Sequence, residues 1–395
     1  MLDRVADGSS LPRAFLRIGG MTVARQQVAL ALQLRCERVI CVATGVAPEI
    51  IELQHLVEAS GSQFHLVGHA RALVGLVSAI DEVVVISDGL FASQAAAVDL
   101  LEEGQSVLAQ PIEQGLAAGF ERIDLNAASA GAMRIPGRLI ERVAELPSDC
   151  DTFSSLLRIA LQAGLRQKAI PAPGQDGLFW TLVRTEDEAH ALEPLWIRQR
   201  TQDAGTPSLS RGLALLAVRS FGPAMLHAGS GAKAVAIAAA LLVLLAFGSG
   251  WFGLIPLAFG FAALGWILRE ANVLLSRIQV DPGTSSMWLD NRELYGWVID
   301  AVLVVLVAWG IETHAGQHFA DRLFPPFMLI ALLRILPRLA APRWAGWLGD
   351  RALLAGLLAG SIVAGVGGIA VHAAAAFAAL TGILLPLGQS RLTRP

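Results

Sequence analysis

Charge is scarce in this sequence. Asp, Glu, Lys and Arg make up 16% of the residues while 54% are hydrophobic, where soluble domains carry about 25% charged residues. The deficit is uneven, since residues 231–395 run as long stretches of Ala, Leu, Val, Ile and Gly. That pattern argues against a wholly soluble chain, because a lipid-facing surface must be as apolar as the interior it covers. Net charge is −3, which gives no electrostatic basis for nucleic-acid binding. There are three cysteines, Cys36, Cys41 and Cys150. Their number and spacing suit neither a disulfide framework nor a zinc site, and they fit a reduced cytoplasmic setting. The opening MLDRVADGSS has no apolar run of the signal-peptide kind, so the first membrane span is expected to be internal.

What the C-terminal half does contain is span-length apolar sequence. Windows of about twenty residues predict six transmembrane helices, at 232–247, 251–268, 294–311, 323–339, 352–370 and 371–387. Arg and Lys cluster before the first span, between the second and third, between the fourth and fifth, and after the sixth. The positive-inside rule then puts both termini in the cytoplasm of a multi-pass protein of the inner (cytoplasmic) membrane. Residues 209–226 carry Leu213, Leu216, Val218, Phe221 and Leu226 with Arg211 and Arg219 between them, the pattern of an amphipathic helix at the membrane surface or of an ordinary linker helix. Residues 200–207 read as the linker itself. Asp300 on the third span is expected to pair with Arg334 on the fourth. Arg269 and Glu270 close the second span, and read either as functional charges or as side chains snorkelling to the interface. Gly356, Gly360 and Ala364 recur every four residues, a spacing for close helix packing inside the bundle or across a homodimer seam. No inverted repeat is visible, which argues against a transporter.

Residues 1–199 read as a soluble α/β domain, 200–231 as a linker with a juxtamembrane helix, and 232–395 as the membrane domain. In the soluble part RVICVA (38–43) and EVVVIS (82–87) predict buried parallel strands. Residues 23–34 and 92–102 predict helices beside them, the alternation of an open α/β sheet. Ligands of such sheets sit at the carboxyl ends of strands, where Asp88 falls. Its carboxylate suits a divalent metal facing a nucleotide phosphate, or the capping of the turn that follows. His55, His65, His69 and His190 make no metal-ligand spacing with any acid.

Four segments carry a resemblance. LPRAFLRIGGMTVARQQ, VVVISDGLF, AGAMRIPGRLIERV and FWTLVRTEDEAHALE together resemble the MobA-like sugar-nucleotide nucleotidyltransferases, over residues 11–195. The resemblance implies a Rossmann-like nucleotidyltransferase fold, Asp88 at the metal position, and Arg25 within the helix that follows the GG turn. It also marks departures. The family's opening AAGxGxR loop has no counterpart in MLDRVADGSS, and its second metal-binding Asp falls on Leu182.

Such a domain ahead of six spans resembles the bifunctional inositol-phosphate cytidylyltransferase–di-inositol-phosphate synthase type, whose membrane half is a CDP-alcohol phosphotransferase. The motif of that half, D-x2-D-G-x2-A-R-x8-G-x3-D-x3-D, is similar in length and place to REANVLLSRIQVDPGTSSMWLDNREL. Alignment on Arg277 puts Asp290 on the third Asp without a gap. The first Asp falls on Arg269, the second on Asn272, the Gly that follows it on Val273, and the last Asp on Leu294. The resemblance thus implies Asp290 and Arg277 as catalytic residues, Asp290 as a ligand of Mg²⁺ or Mn²⁺, and Arg269, Asn272 and Glu293 as groups around a CDP-alcohol or nucleotide. It implies a homodimer and a membrane lipid as substrate or product. A divalent pair wants several carboxylates, and here one remains in register. Two functions follow as expectations: a divergent or non-catalytic homologue that binds nucleotide or lipid or scaffolds an envelope-lipid enzyme, and an active transferase with a rebuilt site.

Overall fold

The computed structural model describes residues 12–147, 150–171, 178–201, 208–227, 231–279, 292–311, 319–339 and 345–389. The chain divides after Leu195 into two compact units.

The N-terminal unit begins with the hairpin β1 (Arg17–Ile18) and β2 (Met21–Thr22). Gly19 and Gly20 turn it with φ of +63° and +78°, the conformation a two-residue hairpin turn demands and glycine adopts without strain. The Thr22 hydroxyl accepts the Arg25 N–H at 3.2 Å and so caps α1 (Val23–Gln33). Next come β3 (Arg38–Val42), α2 (Pro48–Ala59) and β4 (Gln63–Val67), with β3 and β4 paired parallel. The chain continues through β5 (Glu82–Ile86), β6 (Leu90–Ala92), α3 (Gln94–Glu102), β7 (Ser106–Pro111), α4 (Ile112–Ala117) and β8 (Ala127–Pro136). A 3-10 helix (Gly137–Glu145), α5 (Thr152–Gln162), β9 (Gln167–Ala169), β10 (Trp180–Leu182) and α6 (Glu186–Arg200) complete the run.

The larger sheet has the order β5–β8–β7–β9. Successive residues alternate between its faces. Val107, Met133 and Ile135 bury against Leu139, Ile140 and Val143 of the 3-10 helix and Leu156 of α5. Leu108, Ala130 and Ala132 bury with Leu100 and Leu101 of α3. The strands at 38–43 and 82–87 are thus present, but the parallel expectation is corrected for the second: β5 pairs antiparallel with β8. A β-branched run reports burial, and its partner's direction depends on a strand fifty residues away.

The C-terminal unit is helical: α7 (Leu209–His227), α8 (Gly231–Trp251), α9 (Ile255–Gln279), α10 (Arg292–Gly310), α11 (Phe319–Leu339), α12 (Ala345–Leu348), α13 (Arg351–Val363) and α14 (Gly367–Gln389). Phe259, Ala262, Ile299, Leu303, Leu306, Leu329, Ala355 and Val371 form its core. Its outer surface is apolar as well, with Ile237, Leu244, Ile369 and Phe377 all more than 60% exposed, a distribution suited to lipid.

Among the described residues three helices are long and apolar enough to cross a membrane, Gly231–Trp251, Ile255–Ile278 and Glu293–Gly310. Two shorter apolar helices, Arg351–Val363 and Gly367–Ile383, stand beside them. The fourth expected span, α11, carries Asp321, Arg322 and Arg334 among its apolar residues. The fifth, expected at 352–370, is broken: α13 ends at Val363, Gly365 takes φ +74°, and α14 restarts at Gly367. Gly356 and Gly360 face open space among the described residues. Residues 202–207 of the expected linker lie outside the described residues.

Candidate functional site

In the N-terminal unit the sheet edges border a cleft of about 710 Å³ whose lining includes Asp88, Cys41 and Gln27. Asp88 stands two residues past Ile86, at the carboxyl end of β5. The turn there is closed by the Leu90 N–H on the Ser87 carbonyl and by the Gln27 amide, which donates to the carbonyls of Ser87 and Leu90 at 3.0 and 2.9 Å. Gln27 had no role in the sequence reading. Arg25, one helical step away on α1, is half-buried and does not line the cleft with Asp88. Burial pushes the Cys41 thiol up to about 11. Leu182, on the family's second metal position, is buried in β10 opposite Leu90. The strand pairing therefore brings that position beside the Asp88 turn, with a side chain that cannot coordinate. Among the described residues no group of three or more His, Cys, Asp or Glu gathers as a metal site.

Among its described residues the C-terminal unit holds two ion clusters, one around Glu270 and one around Asp300. On α9 Glu270 is 6% exposed. It pairs with its neighbour Arg269 and, at 3.3 Å, with Arg211 of α7. Neither reading of Glu270 anticipated this: it does not snorkel, and its acid is consumed by two guanidiniums. Arg269 also stacks over the Trp266 ring, 4.7 Å from its centroid, a favourable cation–π geometry. Asn272 lies three residues on from Arg269 and Ser276 seven, so the three share a helix face. The Ser276 hydroxyl turns back to the Asn272 carbonyl at 2.8 Å. The buried Asn272 Oδ1 has no hydrogen-bond partner among the described residues. Arg277 is exposed near the end of α9 and lies on a different face from Asn272. Glu293 is exposed in the first turn of α10. Asp290 lies outside the described residues.

Asp300 of α10, 4% exposed, is held from two sides. Arg334 of α11 donates through Nε at 2.7 Å, the pair the sequence suggested. Arg351 of α13 donates through Nε at 2.6 Å and Nη2 at 3.3 Å, a forked pairing that the sequence reading missed. The Arg334 guanidinium carbon sits over the Trp297 ring, 3.6 Å from its centroid. It passes so close to Gly296 that a Cβ there would sit 3.1 Å from its Nη2. Asp350, 2% exposed, accepts the N–H groups of Ala352 and Leu353 as the N-cap of α13 and that of Ser210 at 2.7 Å. Tyr295 places its hydroxyl 3.0 Å from the Gly265 carbonyl and 3.2 Å from that of Ala239, fastening α10 to α8 and α9.

Among the described residues these ion pairs join Arg211 and Arg269 to Glu270, and Arg334 and Arg351 to Asp300. A guanidinium presents several donors in a fork matched to phosphate or carboxylate. No protein-family model matches the chain, and no curated protein does.

Proposed function

We propose that this chain is a multi-pass membrane protein of the polar-lipid headgroup (CDP-alcohol) transfer lineage that binds a phosphate-bearing headgroup or nucleotide through arginine rather than through metal. It acts as a divergent or non-catalytic homologue, or as a scaffold for an envelope-lipid enzyme. The observation that supports this reading is the gathering of four arginines on the described helices α7, α9, α11 and α13 around the buried Glu270 and Asp300. In a bundle with a lipid-facing surface, retained ionisable residues mark functional places. On this reading α11, α13 and α14 complete six spans around the three apolar helices, and both termini are cytoplasmic in the inner membrane. The exposed Leu213, Leu216 and Phe221 of α7 lie in the interface, and the Gly356–Gly360 line, open among the described residues, serves a homodimer.

One observation favours a second reading. The orphaned Oδ1 of Asn272 beside Arg269 is an acceptor waiting for a donor or a cation, as in an active transferase rebuilt on Asp290 and Arg277 with help from Glu293. Here Mg²⁺ or Mn²⁺ would have Asp290 and Asn272 as oxygen ligands, and Asp88 would be the corresponding ligand in the N-terminal domain. CMP release from CDP-diacylglycerol by protein in lipid nanodiscs, with a panel of polar alcohols, separates the two. The binding reading expects no release above an Asp290→Ala control, with or without Mg²⁺ or Mn²⁺. Metal-dependent release that the control loses establishes the transferase.

A further inference from the structure

Arg334 of α11 is held from inside the bundle and open at its surface. Its Nε donates to the buried Asp300 of α10 at 2.7 Å, which uses one edge of the guanidinium and fixes its plane. The Trp297 ring covers one face, 3.6 Å from ring centroid to guanidinium carbon, a cation–π contact. Gly296 completes the seat. A Cβ there would stand 3.1 Å from Nη2, so the glycine lets the group lie close against α10. Neither Nη has an acceptor among the described residues, and neither is enclosed. The Arg334 side chain is 22% exposed, and Trp297 is 58% exposed. The two Nη groups therefore form a pre-set fork that opens outwards.

The surface on which it opens is apolar. Leu294 and Val298 of α10 and Phe327 and Ile335 of α11 are exposed, as on a helix face that meets lipid. The level in the membrane follows from position along α10, one of the three helices long and apolar enough to cross. That apolar segment begins at Glu293, which is exposed in the first turn. Trp297 comes one turn later, about 6 Å along the axis. This is headgroup level, where Trp rings gather and phospholipid phosphates lie. A guanidinium N–H that met neither water nor an anion there would be costly, and its fork matches two oxygens of a phosphate at once.

We propose that Arg334 and Trp297 form a binding site for the phosphate of a membrane phospholipid, on the outer surface of the bundle between α10 and α11. Asp300 sets the plane of the guanidinium, Trp297 keeps it at headgroup level, and the Nη groups donate to the phosphate oxygens. The acyl chains lie along Val298 and Phe327. The site requires a bilayer around the bundle but no headgroup transfer. Its ligand carries no nucleotide, so its failure would leave the CDP-alcohol reading standing, and the reverse holds too.

The test uses the full chain in detergent with a photoreactive phosphatidylglycerol that carries a diazirine in one acyl chain. Labelled peptides are read by mass spectrometry. The label is expected on 294–301 and 324–335. Excess phosphatidylglycerol removes it, whereas diacylglycerol, which lacks the phosphate, and millimolar inorganic phosphate do not. Arg334→Gln lowers labelling about 10-fold, the loss of a hydrogen bond to a charged group. Arg351 still holds Asp300 through its fork in that variant, and the thermal midpoint checks its fold. Trp297→Leu keeps an exposed apolar side chain and the ion pairs of Asp300, and lowers labelling about 3-fold through loss of the cation–π contact. It decides the matter should Arg334→Gln fail to fold. Labelling that either folded variant leaves unchanged, that falls on other helices, or that diacylglycerol removes equally well overturns the proposal. Removal by inorganic phosphate overturns it too, by assigning the fork to a soluble anion.

Discussion

Asp300→Asn is the most informative single change in the helical unit. The native carboxylate accepts three guanidinium N–H bonds, at 2.6, 2.7 and 3.3 Å, from Arg351 and Arg334. Its side chain is 6% exposed and that of Arg351 is 5% exposed, so solvent screens little of the interaction. Asparagine keeps the shape but offers one acceptor oxygen and turns an NH₂ group towards a guanidinium. Two cations then remain in the bundle with no counter-charge. Breaking a buried pair by removing one partner costs about 3–5 kcal/mol. At roughly 2–4 °C per kcal/mol for a domain of 150–250 residues, the thermal midpoint in detergent falls by about 10 °C. Differential scanning fluorimetry of the full chain, followed on the membrane-unit tryptophans, measures it. A triple change that removes all three charges, Asp300→Leu with Arg334→Leu and Arg351→Met, recovers much of the loss, since apolar replacement of a buried ion cluster is often neutral. A midpoint within 2 °C of wild type for Asp300→Asn alone would refute the claim that this carboxylate neutralises the two arginines.

Other outcomes follow from the same contacts. Trp180→Phe removes the indole N–H that donates to the Ala130 carbonyl at 2.7 Å and leaves a buried acceptor unmet, a loss of about 1–3 kcal/mol in chemical denaturation of the N-terminal unit. Gly296→Val displaces Arg334 from Trp297 and lowers the thermal midpoint, whereas Gly260→Val, at an exposed position with open space around it, leaves it nearly unchanged. Glu82 is held below its ordinary range by the Arg134 hydrogen bond, and Asp124 by the N–H groups of Asn126 and Ala127. Both therefore stabilise the fold above the unfolded carboxylate values near pH ~4 and lose that contribution as pH falls further, which an acid titration followed by circular dichroism detects. With its thiol pushed up to about 11, Cys41 alkylates at pH 8 about 200-fold more slowly than an unfolded cysteine. Mass spectrometry after a timed iodoacetamide pulse reads the difference.

Local features were legible in the sequence because local chemistry sets them. The glycine pair marked the turn before α1, the helical pattern of 23–34 placed α1, and the β-branched runs placed β3 and β5. The Asp300–Arg334 pair could be proposed because each charge sits alone in an apolar run, where an unpaired ion is costly. Arg351 could not be assigned to it: it follows Asp350 at the start of an apolar stretch and reads as a loop charge, although its distance from that stretch, a single residue, was a sign that it enters the bundle. The Arg211–Glu270 pair was hidden for a related reason. Charges near a span's end are ordinarily wet, and only the packing of α7 on α9 buries this one. The break at Gly365 left no mark, because Ala, Gly and Val are as apolar as the helices on either side. The cleft beside β3 is a property of the sheet as a whole, which no window of sequence reports.

Binding of a phosphate-bearing lipid without metal tests the account most directly. Protein in nanodiscs is titrated with a fluorescent CDP-diacylglycerol in excess EDTA, alongside Arg269→Gln and Arg211→Gln proteins whose folding has been checked by their thermal midpoints. The account predicts saturable binding that the chelator does not alter and that each substitution weakens about 10-fold. Binding that requires Mg²⁺ or Mn²⁺, or that is indifferent to both substitutions, would contradict it.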